Sequence, residues 1–466
     1  MGILPTPIGT TAELTLESPD DPTDSAGPAR EKNRRRRVAY PWLVFALTFA
    51  LLLSDYMSRQ VLSAVFPFLK ADWALSDSQL ASLTSIVALM VGLLTFPLSL
   101  LADRWGRVRS LTLMAVIWSI ATLFCAVAAN YEQLLIARFL VGVGEAAYGS
   151  VGIAVILSVF VPRVHSALSG AFMAGGSFGS VIGVALGGVI AVHLSWRWSF
   201  AAMAVLGLIL VALFRALVTE GRLAAHKVGQ DTTPTEPSPR PDSSPPIRVP
   251  ISTLFTSPAV WCAYLGGGLQ MFTAAVLLAW TPSFFNREYG LTPDKAGMVA
   301  SIFVLLIGTG MVGCGMITDR VSHTNPSAKW TSAVAFCVVS LASLGIGFQL
   351  APGPAQLTLI GIGAFFAAGS SGPTAAMVAR LTHESVRASA LGTLTVANNV
   401  LGLATGPFVV GILADRLGLL AALQLTPLVY TLAIVALIFG RRLYATSLDR
   451  LNLHGASTSD DCAPRR

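Results

Sequence analysis

Past residue 40 the chain is a succession of apolar runs, each about 20 residues long and separated by short polar turns. A helix rising 1.5 Å per residue crosses a hydrocarbon core about 30 Å thick in that length. Inside such a core no water reaches the backbone, so only helices and closed barrels can span it. Barrel strands alternate apolar and polar residues over about 10 positions, and these runs do not alternate. Twelve helical spans can be placed, at roughly 41–66, 79–102, 110–130, 133–158, 167–192, 198–218, 258–285, 296–317, 330–350, 355–380, 387–413 and 419–440.

Composition narrows the class further. Charged residues make up 12% of the chain and hydrophobic ones 54%. A soluble domain carries about 25% charged residues, so this chain lacks the charge to coat a water-facing surface. Its net charge of +7 does not mark a nucleic-acid binder. The basic residues sit in turns between spans and form no face interleaved with aromatics. Cys125, Cys262, Cys314, Cys337 and Cys462 have neither metal nor disulfide spacing, so no metal and no cofactor are expected. Residues 1–29 are polar and acidic, unlike a cleaved signal peptide.

The basic residues also orient the chain. Only five of the 31 Lys and Arg fall in one set of loops: Lys70, Arg197, Arg287, Lys295 and Arg416. Two more, Arg59 and Arg138, lie inside spans, and the rest flank the other ends. Positive residues stay inside, so an inner-membrane protein with both termini cytoplasmic is expected. Residues 1–39 and 443–466 read as disordered cytoplasmic tails. Residues 220–250 are rich in Pro, Ser and Thr and read as a flexible cytoplasmic linker. The linker divides a six-helix bundle at 40–219 from another at 251–442.

These bundles repeat one another. Ser99-Leu100-Leu101-Ala102-Asp103-Arg104 ends span two, and Gly315-Met316-Ile317-Thr318-Asp319-Arg320 ends span eight. His165-Ser166-Ala167-Leu168-Ser169-Gly170 opens span five, and Arg387-Ala388-Ser389-Ala390-Leu391-Gly392 opens span eleven. Both pairs are offset by six spans, so the second half restates the first. Two parallel six-helix repeats are a transporter plan, with the site at mid-membrane between them.

Over roughly residues 40–442 the chain resembles the major facilitator superfamily. Leu101-Ala102-Asp103-Arg104-Trp105-Gly106-Arg107-Val108-Arg109 looks like its signature between helices two and three, with Ser99 where Gly is usual. Asp319-Arg320 is a shortened second copy. The resemblance implies that Asp103, Arg104, Gly106, Arg107, Asp319 and Arg320 gate the cytoplasmic side, with Asp103 in a lock that holds the outward-open state. Arg138-Phe139-Leu140-Val141-Gly142-Val143-Gly144-Glu145 resembles a further motif of the family. Its extension through Ala146-Ala147-Tyr148 is similar to the organic anion–cation symporters and the Spinster-like lipid transporters. In span one, Asp55-Tyr56-Met57-Ser58-Arg59 resembles their Asn-Tyr-x-Asp-Arg pattern, with the carboxylate displaced by almost one helical turn. Span five lacks the proline of the antiporter motif, which favours symport or uniport.

Asp55, Arg59, Arg138 and Glu145 are intramembrane charges, and such groups mark function by default. Arg59 follows Asp55 by one turn, and Glu145 shares a helical face with Arg138. Burial favours the neutral form of a carboxylic acid and a nearby guanidinium favours the ionised form. A movable Arg therefore makes proton coupling available to these four residues. Arg59 could instead clamp a substrate carboxylate bidentately. Tyr56, Tyr148, Gln270, Trp280, Asn398 and Asn399 are the other candidate substrate contacts, against the bland alternative of helix packing and interhelical hydrogen bonds. Gly175, Gly179, Gly183 and Gly187 form a ladder of four-residue spacing suited to close helix packing.

The expected fold is all-α, with two pseudo-symmetric six-helix bundles. The expected function is proton-coupled alternating-access transport of a small organic anion by a monomer whose partners are substrate, proton and bilayer. Alternatives are a Spinster-like amphiphile transporter, a proton-driven exporter and a non-transporting sensor. The six His lie near boundaries or in soluble segments, and no phosphate-binding loop appears, so neither an enzyme nor an ATP-driven pump is expected.

Overall fold

The computed structural model describes residues 28–161, 164–223, 257–322, 327–382 and 386–460. The described residues contain no strand, and twelve helices among them are long and apolar enough to cross a membrane. Spans one to six are Ala39–Trp73, Asp77–Trp105, Arg107–Val127, Tyr131–Leu157, Leu168–His193 and Trp196–Leu217. Spans seven to twelve are Pro258–Glu288, Pro293–Val321, Ala328–Gly347, Pro354–Leu381, Ser389–Leu417 and Leu419–Tyr444.

The first helix starts at Pro28 and the last runs to Asp460, so parts of both expected tails are helical. Lys, Arg, Glu and Leu are good helix formers, and a helix already nucleated in the membrane propagates at little cost. Residues 1–27 and 461–466, and most of the expected linker, lie outside the described residues.

Within the first half, span five packs along span one through the glycine ladder. A Cβ on Gly179 would stand 2.9 Å from Tyr56 Cβ, and one on Gly183 would stand 2.6 Å from the Met57 carbonyl oxygen. Gly175 meets the Phe49 ring and Gly187 meets Val61. Two ladders of matched four-residue period therefore interlock along one seam. Both helices belong to the same half, so the seam fixes span one inside its bundle.

The halves meet through spans one and seven, two and eleven, and five and eight. We term the end away from the chain termini the outer end. There Gly411 lies against the Asp77 carbonyl and Ala81, and Gly188 and Gly297 meet the backbones of Pro293 and Val184. The Trp280 ring packs on Phe66 with centroids 5.4 Å apart. At the inner end a Cβ on Gly170, Gly315 or Gly392 would meet nothing within 4 Å. Asp103 and Asp319 are exposed there. The molecule is closed outside and faces inward.

Three spans are irregular at mid-membrane. Span four breaks between Tyr131–Glu145 and Tyr148–Leu157, and Thr95 Oγ1 donates to the freed Ala146 carbonyl at 2.6 Å. Span ten breaks at the equivalent place, between Pro354–Phe366 and Ser371–Leu381. Span eleven contains a π-helical turn, Asn398–Ala404, just before Pro407. Proline has no N–H to give the preceding turn, and the widened turn is a common adjustment at functional places. Non-helical backbone at membrane depth is tolerated where protein or a cavity satisfies it.

Candidate functional site

Glu145 is the last residue of the first segment of span four, so the break places its side chain at mid-membrane. Arg59, on span one, puts Nη2 at 2.7 Å from Glu145 Oε2 and 3.8 Å from Asp55 Oδ2. Both carboxyls thus face the same Arg59 guanidinium. The side chains of Asp55 and Glu145 are 3% and 0% exposed, whereas Arg59 keeps 19%. Part of the Arg59 side chain is thus accessible, whereas both carboxylates are sealed. Tyr56 supports this arrangement with its ring, whose centroid is 5.2 Å from Arg59 Cζ. The ring also rests on Gly176, where a Cβ would stand 3.0 Å from it. A cation over an aromatic face gains about 0.5–1 kcal/mol.

Arg138 does not share this position. It is fully buried, and its Nε and Nη1 donate to the Leu83 and Ser58 carbonyls at 3.2 and 3.4 Å. It thereby ties span four to spans two and one. A second guanidinium thus lies in this region, bonded to backbone rather than to the carboxyls. From sequence either Arg59 or Arg138 can set the proton affinity of Glu145, and the geometry gives the direct ion pair to Arg59.

Other expected contacts are also occupied. The Tyr148 hydroxyl donates to the Thr48 carbonyl at 2.8 Å, and its ring packs edge-on against Trp118. Gln270 braces the break in span ten. Its Oε1 accepts from the Ser370 N–H at 2.8 Å and from the Ser370 hydroxyl, and its Nε2 donates to the Phe366 carbonyl at 3.3 Å. An amide carries both the donor and the acceptor that a broken helix needs. The fully buried Trp280 donates Nε1 to the Pro407 carbonyl at 3.2 Å and plugs the outer side. Asn398 and Asn399 stand on the π turn. Asn399 donates to the Thr395 carbonyl at 2.9 Å, and both Oδ1 atoms lack a hydrogen-bond partner among the described residues. Asn399 also touches Gly92, one turn from Thr95, which bonds Ala146. The π turn therefore lies at the depth of Glu145, in the opposite half.

At the inner end Asp103 is 65% exposed, and Arg107 Nε approaches it to only 3.6 Å. Gly106 adopts φ 99°, a region open to glycine, which lets span two turn directly into span three. Glu220 Oε1 accepts from the Val108 N–H at 2.8 Å and so caps span three. Arg104 and Arg320 are exposed, and no ion pair joins the two halves here among the described residues.

One cluster had no forewarning in the sequence. Asp77 opens span two and is 4% exposed, yet it receives Lys70 from span one and Arg287 from span seven. Ser76-Asp77-Ser78-Gln79 reads only as a capping box, which marks a helix start. A partner in the other half of the chain leaves no local signature.

A sequence profile of the Major Facilitator Superfamily matches residues 48–360 and, in a second match, 286–452. The hexuronate transporter of Bacillus subtilis (strain 168) is 25% identical over 370 residues, covering 78% of this chain and 86% of the relative. The gallate transporter of Pseudomonas putida is 27% identical over 341 residues, covering 68% and 74%. A solved bacterial homolog of the human lysosomal transporter Spinster, inward-facing and unoccupied, superposes with a TM-score of 0.74 at 18% identity. It covers 88% of this chain and 98% of that one, and it shares the fold. Twelve spans in two repeated halves, a signature loop after span two and a profile match across most of the chain agree: this protein belongs to the Major Facilitator Superfamily.

Proposed function

We propose that this chain is a secondary transporter for a small organic anion, whose carboxylate is taken by Arg59 and whose movement is coupled to a proton at Glu145. The observation that carries this reading is the order of the charges. The Arg59 side chain is partly accessible, and the two carboxylates it pairs with are sealed. An anion arriving from the open side meets Arg59 first and competes for it bidentately. As Arg59 turns to the solute, Glu145 loses its 2.7 Å partner. An unpaired carboxylate at this depth is costly, so it takes up a proton. The loaded site is then free of uncompensated charge, and the halves can close over it. The cargoes in the names of two relatives, hexuronate and gallate, are both carboxylates.

Uptake into proteoliposomes tests the reading, with radiolabelled galacturonate, glucuronate and gallate as probes. A pH gradient should drive accumulation of at least one of them. Glu145→Gln fixes the neutral form and should lose accumulation while keeping exchange of labelled for unlabelled solute. Asp55→Asn should keep coupling. Coupling lost in Asp55→Asn and kept in Glu145→Gln would move the proton site to span one.

A further inference from the structure

The outer closure is held by one residue used twice. Arg287, from the second half, grips the Asp77 carboxylate with two donors: Nη1 to Oδ2 at 2.8 Å and Nη2 to Oδ1 at 2.6 Å. Lys70, from the first half, adds Nζ to Oδ1 at 2.7 Å. The backbone of the same residue is also taken from across the interface. Asp415, at the end of span eleven, accepts the Asp77 N–H at 2.6 Å and the Ser78 N–H at 3.0 Å. That carboxylate caps the positive end of span two. Gly411, one turn before Asp415, lets the two backbones meet, since a Cβ there would stand 2.8 Å from the Asp77 carbonyl oxygen.

We propose that Asp77 is the outer latch of this transporter, with Arg287 and Asp415 as its keepers and Lys70 as its holder. The division between halves defines these roles. When the outer side opens, Arg287 and Asp415 leave together with the second half. Both are partly or fully exposed, so water takes their charge. Lys70 stays beside Asp77, because spans one and two belong to the same half. The most buried charge of the group therefore keeps a partner in either state, and the latch can reopen without stranding a carboxylate. The charged residues grouped here, Lys70, Asp77, Arg287 and Asp415, sum to zero, and they lie a full membrane thickness from the Asp103 loop.

The roles predict opposite signs for two cations that touch the same carboxylate. Arg287→Gln weakens only the closed outer side and should shift the protein outward. Lys70→Gln removes the partner that Asp77 needs when open, and should shift the protein inward. Ser283 is buried on span seven, one turn inward from Arg287 on the same face, so Ser283→Cys reports opening. A membrane-impermeant maleimide is applied to intact cells carrying the full chain, with the unmodified protein as control for its own cysteines. Relative to Ser283→Cys alone, adding Arg287→Gln or Asp77→Asn should raise the labelling rate about fivefold, the change that loss of a partly exposed ion pair supports. Arg287→Lys should restore most of the closure, and Lys70→Gln should label at or below the starting rate. Unchanged labelling in Arg287→Gln would overturn the latch. Equal increases in Arg287→Gln and Lys70→Gln would overturn the division of roles, because general loosening does not distinguish them. The readout needs no solute, so it fails or holds separately from the carboxylate reading.

Discussion

Gly183→Ala is the smallest change that tests how the site is held. The added Cβ would stand 2.6 Å from the Met57 carbonyl oxygen, 2.8 Å from its Cα and 3.1 Å from its carbonyl carbon. Heavy atoms in ordinary contact lie about 3.5–4.0 Å apart, so spans one and five must separate locally by about 1 Å. The atoms it meets are backbone, and no rotamer change can relieve the clash. Overpacking of this kind costs about 1–3 kcal/mol. Met57 lies between Asp55 and Arg59, so the displacement falls on the segment that aims Arg59 at Glu145. Gly149→Ala is the matched control, since a Cβ there meets nothing within 4 Å. It should be neutral or stabilising by up to about 1 kcal/mol, the helix preference of Ala over Gly. Purified variants in detergent are compared by thermal unfolding and then by uptake in proteoliposomes. Gly183→Ala should melt several degrees lower, at about 2–4 °C per kcal/mol for units of this size, and transport should fall by more than the loss of folded protein. Equal melting and equal uptake for the two variants would refute the seam.

Two further changes probe other parts of the cycle. Asp103→Asn should slow transport while leaving substrate affinity nearly intact, because the residue is exposed at the inner end and far from Glu145. An affinity loss with unchanged turnover would count against gating. Gln270→Leu leaves the buried Ser370 N–H without its partner, at a cost of about 1–3 kcal/mol, while the Phe366 carbonyl keeps the Gly369 N–H at 3.0 Å; a melting temperature equal to the parent would show that the break in span ten is braced by something else.

The twelve spans and the two repeated halves were legible because each span must satisfy its own backbone, so length and hydropathy suffice. The mid-membrane charges were legible for a related reason, since lipid excludes them unless they have work to do. Pairing was less so. Arg59 and Arg138 look equivalent as residues, and only the packing shows that Arg138 is spent on the Leu83 and Ser58 carbonyls. Gln270 resembled a solute contact because a buried amide has two functions to satisfy. The break it braces is a backbone event with no side-chain pattern of its own. The glycine ladder announced a close approach but not its partner, and Phe49, Leu53, Met57 and Val61 are ordinary span residues in sequence. Pro407 follows the π turn, but a proline weakens the preceding turn without fixing how it widens.

The distribution of charge between the halves bears on electricity. The Lys, Arg, Asp and Glu residues of spans seven to twelve lie at the ends of the helices, whereas Asp55, Glu145, Arg59 and Arg138 sit at mid-membrane in the first half. A membrane potential does about 2.3 kcal/mol of work per elementary charge per 100 mV on charge that crosses it. Movement of the second half across the middle of the bilayer therefore carries none. In the first half two guanidiniums offset the two carboxyls when both are ionised. On the proposed cycle one proton and one monovalent anion join them together, and the sum is again zero. Neither the empty nor the loaded carrier then offers the voltage a handle. Such a carrier would run on the pH difference alone, and it would keep working at full rate in a cell whose membrane had been depolarised.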